Sequence, residues 1–152
     1  MKTVSKKIVL KGKKVHLAIV ASRFNEDICE GLIRGAKEIL DESPGVTYDV
    51  HRVPGAFELP LAAQKCALKK VSGVICLGAA IRGETPHFDY VCRAATDGIL
   101  RVGLDSGIPV SFGLLTVDTL EQALSRSASD EFNKGREAAL TVLEMFDLLQ
   151  RI

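Results

Sequence analysis

The chain has 152 residues, 47% of them hydrophobic, with 20 Lys+Arg against 19 Asp+Glu and a formal net charge of +1. Such a length with so much apolar content suits one domain, residues 1–152, with a core of its own. The near-cancelling charge gives no global attraction to nucleic acid or to an anionic membrane surface, so any anion must be held locally.

The start is basic, Met1-Lys2-Thr3-Val4-Ser5-Lys6-Lys7, but only Ile8-Val9-Leu10 precedes Lys11-Gly12-Lys13-Lys14, too little apolar chain for a signal segment. No window approaches a membrane span. Residues 7–10 read as a short strand, with 1–14 together an N-terminal strand and linker able to pair with a sheet edge of this or another copy. Residues 15–21, Val-His-Leu-Ala-Ile-Val-Ala, form a nearly continuous apolar strand of the kind buried on both faces of a parallel sheet, with His16 structural. Residues 22–27 close it, Asn25 being placed to cap a helix whose first turn carries Glu26 and Asp27. Ile28, Leu32, Ala36 and Ile39 recur at helical spacing until Ser43-Pro44-Gly45.

Residues 46–53 alternate as a strand and run into Pro54-Gly55-Ala56-Phe57-Glu58-Leu59-Pro60, after which Leu59, Ala63, Cys66 and Ala67 mark a helix face. Residues 73–81 are a third apolar strand. A glycine turn follows, then Thr85-Pro86, a hydroxyl cap with proline at the first helical position. The helix so opened keeps Phe88, Val91, Cys92, Ala95, Ile99 and Val102 on one side and stops at Ser106-Gly107. Residues 109–116 are the last strand, broken by Gly113. Thr119-Leu120-Glu121-Gln122 is a capping box for a short helix through Arg126. A polar connector, residues 127–130, leads to a final helix with Ala138, Val142, Met145, Phe146 and Leu149 inward. Cys29, Cys66, Cys76 and Cys92 are far apart with no C-x-x-C pair, so they read as free buried thiols in a reducing compartment, without a metal cage.

Strands alternating with helices make the fold α/β, a parallel sheet covered on both faces with right-handed crossovers. Ligands of such sheets collect beyond the carboxyl ends of the strands. That rule gathers Phe24, residues 56–58, the loop 82–87 and the segment after Phe112 on one rim.

The stretch Ala79-Ala80-Ile81-Arg82-Gly83-Glu84-Thr85-Pro86-His87-Phe88-Asp89-Tyr90 has the most chemical content. At a strand-loop-helix junction, N–H groups without intrahelical partners and the positive end of the helix dipole suit a phosphate, with Arg82 close by in sequence. His87 falls in the first helical turn, where the positive environment favours the neutral imidazole that accepts and passes on protons. The same stretch also reads as ordinary α/β punctuation: it lacks the full dinucleotide glycine fingerprint and any Gly-Lys-Ser/Thr of a P-loop. Phe24 and Phe57 sit in loops, where a ring either stacks on a planar ligand or packs under its own turn. Glu58 either accepts hydrogen bonds from hydroxyl and amine groups or favours a helix N-terminus. From the residues alone the ligand is small, planar and polar with a phosphate, and no reaction type follows.

The chain resembles the 6,7-dimethyl-8-ribityllumazine synthase family. The resemblance runs from about Val15 to the last helix and is carried by Arg23-Phe24-Asn25, Val53-Pro54-Gly55-Ala56-Phe57-Glu58-Leu59-Pro60, Leu77-Gly78, Ile81 through Val91, Phe112-Gly113, Glu121-Gln122-Ala123, Arg126 and Asn133-Lys134-Gly135. It implies a flavodoxin-like three-layer α/β/α sandwich with a mainly parallel four-stranded sheet. It also implies a transferase of riboflavin biosynthesis, condensing 5-amino-6-(D-ribitylamino)uracil with 3,4-dihydroxy-2-butanone 4-phosphate and needing no cofactor.

Carried over by motif, Phe24 would stack on the pyrimidine, and Ala56, Phe57 and Glu58 would hold the ribityl chain and polar ring edge. Ala79, Ala80 and Ile81 would line the pyrimidine pocket, and Glu84 and Thr85 would bind phosphate through their N–H groups. Arg126 would pair with that phosphate, Phe112 would close the pocket from an adjacent subunit, and His87 would shuttle protons. The resemblance further implies a cytoplasmic homo-oligomer, a pentamer or a 60-subunit shell, with riboflavin synthase as a further partner. The connector departs from the family pattern at Asp130 and Phe132.

Two rival readings share the fold: a non-catalytic carrier of lumazine or flavin, and a shell protein whose rim residues are relics. A phosphorelay receiver is disfavoured, since Ala21-Ser22 and Gly78-Ala79 offer no acidic cluster at the strand ends.

Overall fold

The computed structural model describes Leu10 and residues 12–152. The strand expected at residues 7–10 lies outside them, apart from Leu10, which is buried. Four strands, β1 (Val15–Ser22), β2 (Val46–Val53), β3 (Gly73–Ile81) and β4 (Val110–Val117), form a parallel sheet in the order β2-β1-β3-β4. Helices α1 (Glu26–Asp41), α2 (Leu59–Leu68), α3 (His87–Ser106), α4 (Leu120–Ser127) and α5 (Lys134–Arg151) connect and follow them.

The apolar run of β1 is explained by its central place in the sheet. Leu17, Ile19 and Ala21 pack with Ile75, Leu77 and Leu115 under α1 and α5, while Ala18 and Val20 pack with Val74, Cys76 and Leu114 under α2 and α3. Alternate side chains thus fill two cores, one on each face, which makes the three-layer sandwich. All four cysteines are free; Cys29, Cys66 and Cys76 are buried as expected while Cys92, near the start of α3, is only half-buried, and burial pushes the Cys76 thiol up to about 12. Among the described residues no helix is long and apolar enough to cross a membrane.

Three local readings change. Gly113 does not break β4, which is continuous through Val117; a Cβ there would lie 2.6 Å from Leu77 Cδ2 and 2.8 Å from the Cys76 carbonyl, so glycine lets β3 and β4 lie close. Asn25 precedes α1 but makes no side-chain cap; its backbone is left-handed at φ 61° and its side chain goes elsewhere. Met145 is 37% exposed, because the buried stripe of α5 is Ala138, Ala139, Val142 and Leu143 and Met145 sits at its margin. The capping box of α4 forms as read, Gln122 N–H donating to Thr119 Oγ1 at 3.2 Å and Thr119 N–H to Gln122 Oε1 at 3.2 Å. In the connector, Asp130 Oδ1 accepts from Phe132 N–H at 2.8 Å, and the Phe132 ring is exposed.

Candidate active site

Chain direction along the sheet reverses between β1 and β3, since β1 leads outward to β2 on one side and β3 to β4 on the other. Loops leaving the two strands diverge there and leave a crevice at their carboxyl ends. A cleft of about 800 Å³ occupies that crevice.

Its β1 wall is the loop carrying Phe24, held against the neighbouring loop by Arg23 N–H donating to the Val53 carbonyl at 2.8 Å and Phe24 N–H to the Pro54 carbonyl at 3.2 Å. The Asn25 amide Nδ2 donates to the Ala79 carbonyl at 3.0 Å, tying this loop to the end of β3. From below, the Cys29 thiol, pushed up chiefly by burial and so kept protonated, donates to the Phe24 carbonyl at 3.3 Å. With its backbone fixed on three sides, the Phe24 ring stands 71% exposed at the cleft, an orientation that burial of an apolar side chain does not explain.

The β2 wall is the single 3₁₀ turn Ala56–Glu58, in which Phe57 is exposed, Ala56 is buried and Glu58 Oε2 accepts from Gly55 N–H at 3.0 Å. One carboxylate oxygen of Glu58 is thereby committed to its own turn, leaving acceptor capacity on the other. Ala79, Ala80 and Ile81 form the floor, Ala79 buried and the other two half-buried.

The far wall is the loop into α3. The expected hydroxyl cap does not form as read: Pro86, with helical backbone angles, is the N-cap of α3 and gives no side-chain cap, and Thr85 Oγ1, one residue earlier, accepts from His87 N–H at 3.4 Å. Among the described residues the N–H groups of Gly83, Glu84 and Thr85 have no acceptor, which leaves three successive donors at a helix N-terminus. His87 and Thr85 line the cleft; the Glu84 side chain is exposed and does not. Tyr90, 73% exposed, lines it as well. That tyrosine was not singled out from the sequence, although an aromatic three residues after His87 on one helix must share its face.

Arg82 is not beside the three free N–H groups. Its guanidinium turns to the other side of the loop, Nε donating to Asp118 Oδ1 at 2.8 Å and Nη1 to Asp89 Oδ1 at 3.3 Å, with Cζ 4.5 Å from the centroid of the Phe88 ring. The hydrogen bond to Asp118 pushes its pKa up, with Asp89 adding to it.

Phe112 and Arg126 also lie apart from the cleft within this chain. Phe112 pairs with Cys76, well before the carboxyl end of β4, so the segment after it does not join the rim as a loop. It is 45% exposed on the outermost strand, in a depression that Arg126 and Lys134 share. The Arg126 guanidinium donates to the Gln122 carbonyl at 3.0 Å and to Ser125 Oγ at 3.3 Å. Neither contact satisfies more than part of its five donors.

Comparison with known proteins follows the same lines. Residues 14–150 match the family model described as 6,7-dimethyl-8-ribityllumazine synthase. Proteins of that name from Syntrophus aciditrophicus and Campylobacter lari are each 49% identical to the chain, over 96% of both chains in the first case and over 100% of this chain and 99% of the relative in the second. One from Salinibacter ruber is 50% identical over 90% of both chains. The chain belongs to the 6,7-dimethyl-8-ribityllumazine synthase family.

Proposed function

We propose that this chain is a transferase that condenses 5-amino-6-(D-ribitylamino)uracil with 3,4-dihydroxy-2-butanone 4-phosphate, giving 6,7-dimethyl-8-ribityllumazine, phosphate and water. The observation that carries the reading is that one cleft is lined both by the exposed Phe24 ring beside the end of β3 and by Gly83 and Thr85, whose N–H groups have no acceptor among the described residues, with His87 on the same wall. A planar heterocycle fits the first part and a phosphate monoester the second.

In this reading Phe24 stacks on the pyrimidine, backbone groups of residues 79–81 meet its polar edge, and Glu58 with residues 56 and 57 holds the ribityl hydroxyls. The N–H groups of Glu84 and Thr85 hold the phosphate. The pyrimidine amine attacks the ketone and a first water leaves to form an imine; phosphate is eliminated through an enol that reverts to a ketone, and the second nitrogen attacks that carbonyl and closes the ring with loss of a second water. Each step moves a proton near one place, and His87 is the group within the cleft able to take and return it. Holding both substrates in register supplies much of the remaining acceleration.

Phe112 and Arg126 complete the site from an adjacent copy. What supports this is their position on the outermost strand and the helix after it, both exposed and neither facing the chain's own cleft. The working protein is then a homo-oligomer of this 152-residue domain, located in the cytoplasm. Mixing purified chain with both substrates tests the reading: lumazine absorbance and inorganic phosphate must rise together in equal amounts. Tight binding of lumazine with neither product formed would instead make the chain a carrier.

A further inference from the structure

Arg82 stands at the head of the loop with three free N–H groups, yet offers that loop no charge. Its side chain is shared by two carboxylates, Asp118 and Asp89, so the cluster as a whole is negative and repels an anion. What the guanidinium does is join three elements. Through Asp89 and the Phe88 ring it grips the first turn of α3, and through Asp118 it grips the turn between β4 and α4. Asp118 N–H in turn donates to Gln122 Oε1 at 2.7 Å, inside the capping box of α4, and Arg126 donates to the carbonyl of the same Gln122.

The loop between has little else to hold it. Among the described residues Gly83, Glu84 and Thr85 make no backbone hydrogen bond, a Cβ on Gly83 would meet open space, and the one side-chain tie is Thr85 to His87. Exposed ion pairs of this kind add little to folding. The consequence of the network is geometric: a loop already held in place needs less reorganisation when an anion arrives.

We propose that Arg82 is a positioning residue that fixes the anion-binding loop 83–85 relative to α3 and α4 without touching substrate. The proposal rests on the reaction assigned above, with the loop as its phosphate site. The measurement is a double-mutant cycle on the full chain with Arg82→Gln, Asp118→Asn and the pair, and with Arg82→Lys, which keeps charge but loses the fork. Arg101→Gln, removing an exposed helical pair with Asp105, is the control.

The expected result is a rise of roughly tenfold, the size of one hydrogen bond to a charged group, in KM for the butanone phosphate, with KM for the pyrimidine unchanged. Arg82→Lys, Arg82→Gln and Asp118→Asn should behave alike, and the pair should be no worse than either. Without substrate, amide exchange should quicken at Arg82, Asp89 and Tyr90, whose N–H groups bond the Val117 and Pro86 carbonyls. Tighter binding of the phosphate substrate in Asp118→Asn would make the released Arg82 a direct ligand and overturn the proposal. So would additive effects in the pair, equal shifts in both KM values, or unaltered exchange. Should the parent chain fail to turn over, the assigned reaction falls, while the exchange measurement still decides whether Arg82 holds the loop.

Discussion

His87 and Phe24 occupy the cleft for different physical reasons, and their variants should separate accordingly. His87 is exposed, its backbone N–H is bonded to Thr85, and among the described residues its imidazole has no hydrogen-bond partner. His87→Ala should lower turnover by ~10²- to 10⁴-fold while lumazine affinity holds, and single-turnover rates check this. Phe24 is 71% exposed, so Phe24→Ala should leave the melting temperature unchanged yet weaken lumazine binding by ~1–3 kcal/mol, the worth of a ring stacked on a base. Fluorescence titration measures it. Both residues were legible in the sequence because their signals are local: a histidine after Thr-Pro, an aromatic in a loop after a buried strand. Asn25 and Arg82 were misread because their partners are 54 and 36 residues away, Ala79 and Asp118, and local pattern carries nothing about either. An asparagine before a helix looks like a cap whether or not its amide reaches across the sheet.

The elements themselves followed from periodicity, since β1 and β3 are buried on both faces and α1 keeps its apolar residues on one. What periodicity hides is how closely elements approach. Asn133 is 1% exposed and fully engaged: Nδ2 donates to the Gly31 and Ala128 carbonyls, each at 3.0 Å, and Oδ1 accepts from Gly135 N–H at 2.8 Å and Arg136 N–H at 3.2 Å. The amide thereby caps α5 and pins it to α1. That contact needs two glycines, for a Cβ on Gly35 would collide with the Asn133 side chain and one on Gly135 with the Leu32 carbonyl. Gly135→Ala, in a helix where alanine is otherwise favoured, should therefore destabilise by ~1–3 kcal/mol or more, read as a lower denaturant midpoint. A rise in stability would mean that α1 and α5 can part without loss. Read from the sequence, Asn133-Lys134-Gly135 marked only a resemblance; the packing explains why those residue types stand there.

At the scale of the molecule, one chain presents two separate surfaces. The cleft holds Phe24, Glu58, Thr85 and His87, and the depression beside β4 holds Phe112 and Arg126. The doubly wound sheet accounts for both: its switch point opens the cleft, and its last strand lies at the edge of the sheet among the described residues, beside the second surface. The rim rule adds the segment after Phe112 to the cleft because it speaks of strand ends alone, whereas Phe112 lies early in β4 and Arg126 on the helix after it. If a phosphate on His87's loop is met by Arg126 of another copy, damage to each can be repaired by the other. His87→Ala and Arg126→Ala chains should each be nearly inactive alone. Dissociated, mixed in equal amounts and reassembled, they should regain about a quarter of the parent activity, as chance pairing in a head-to-tail ring gives. A mixture no more active than its two components would contradict the convergence of His87 and a second chain's Arg126 on one phosphate.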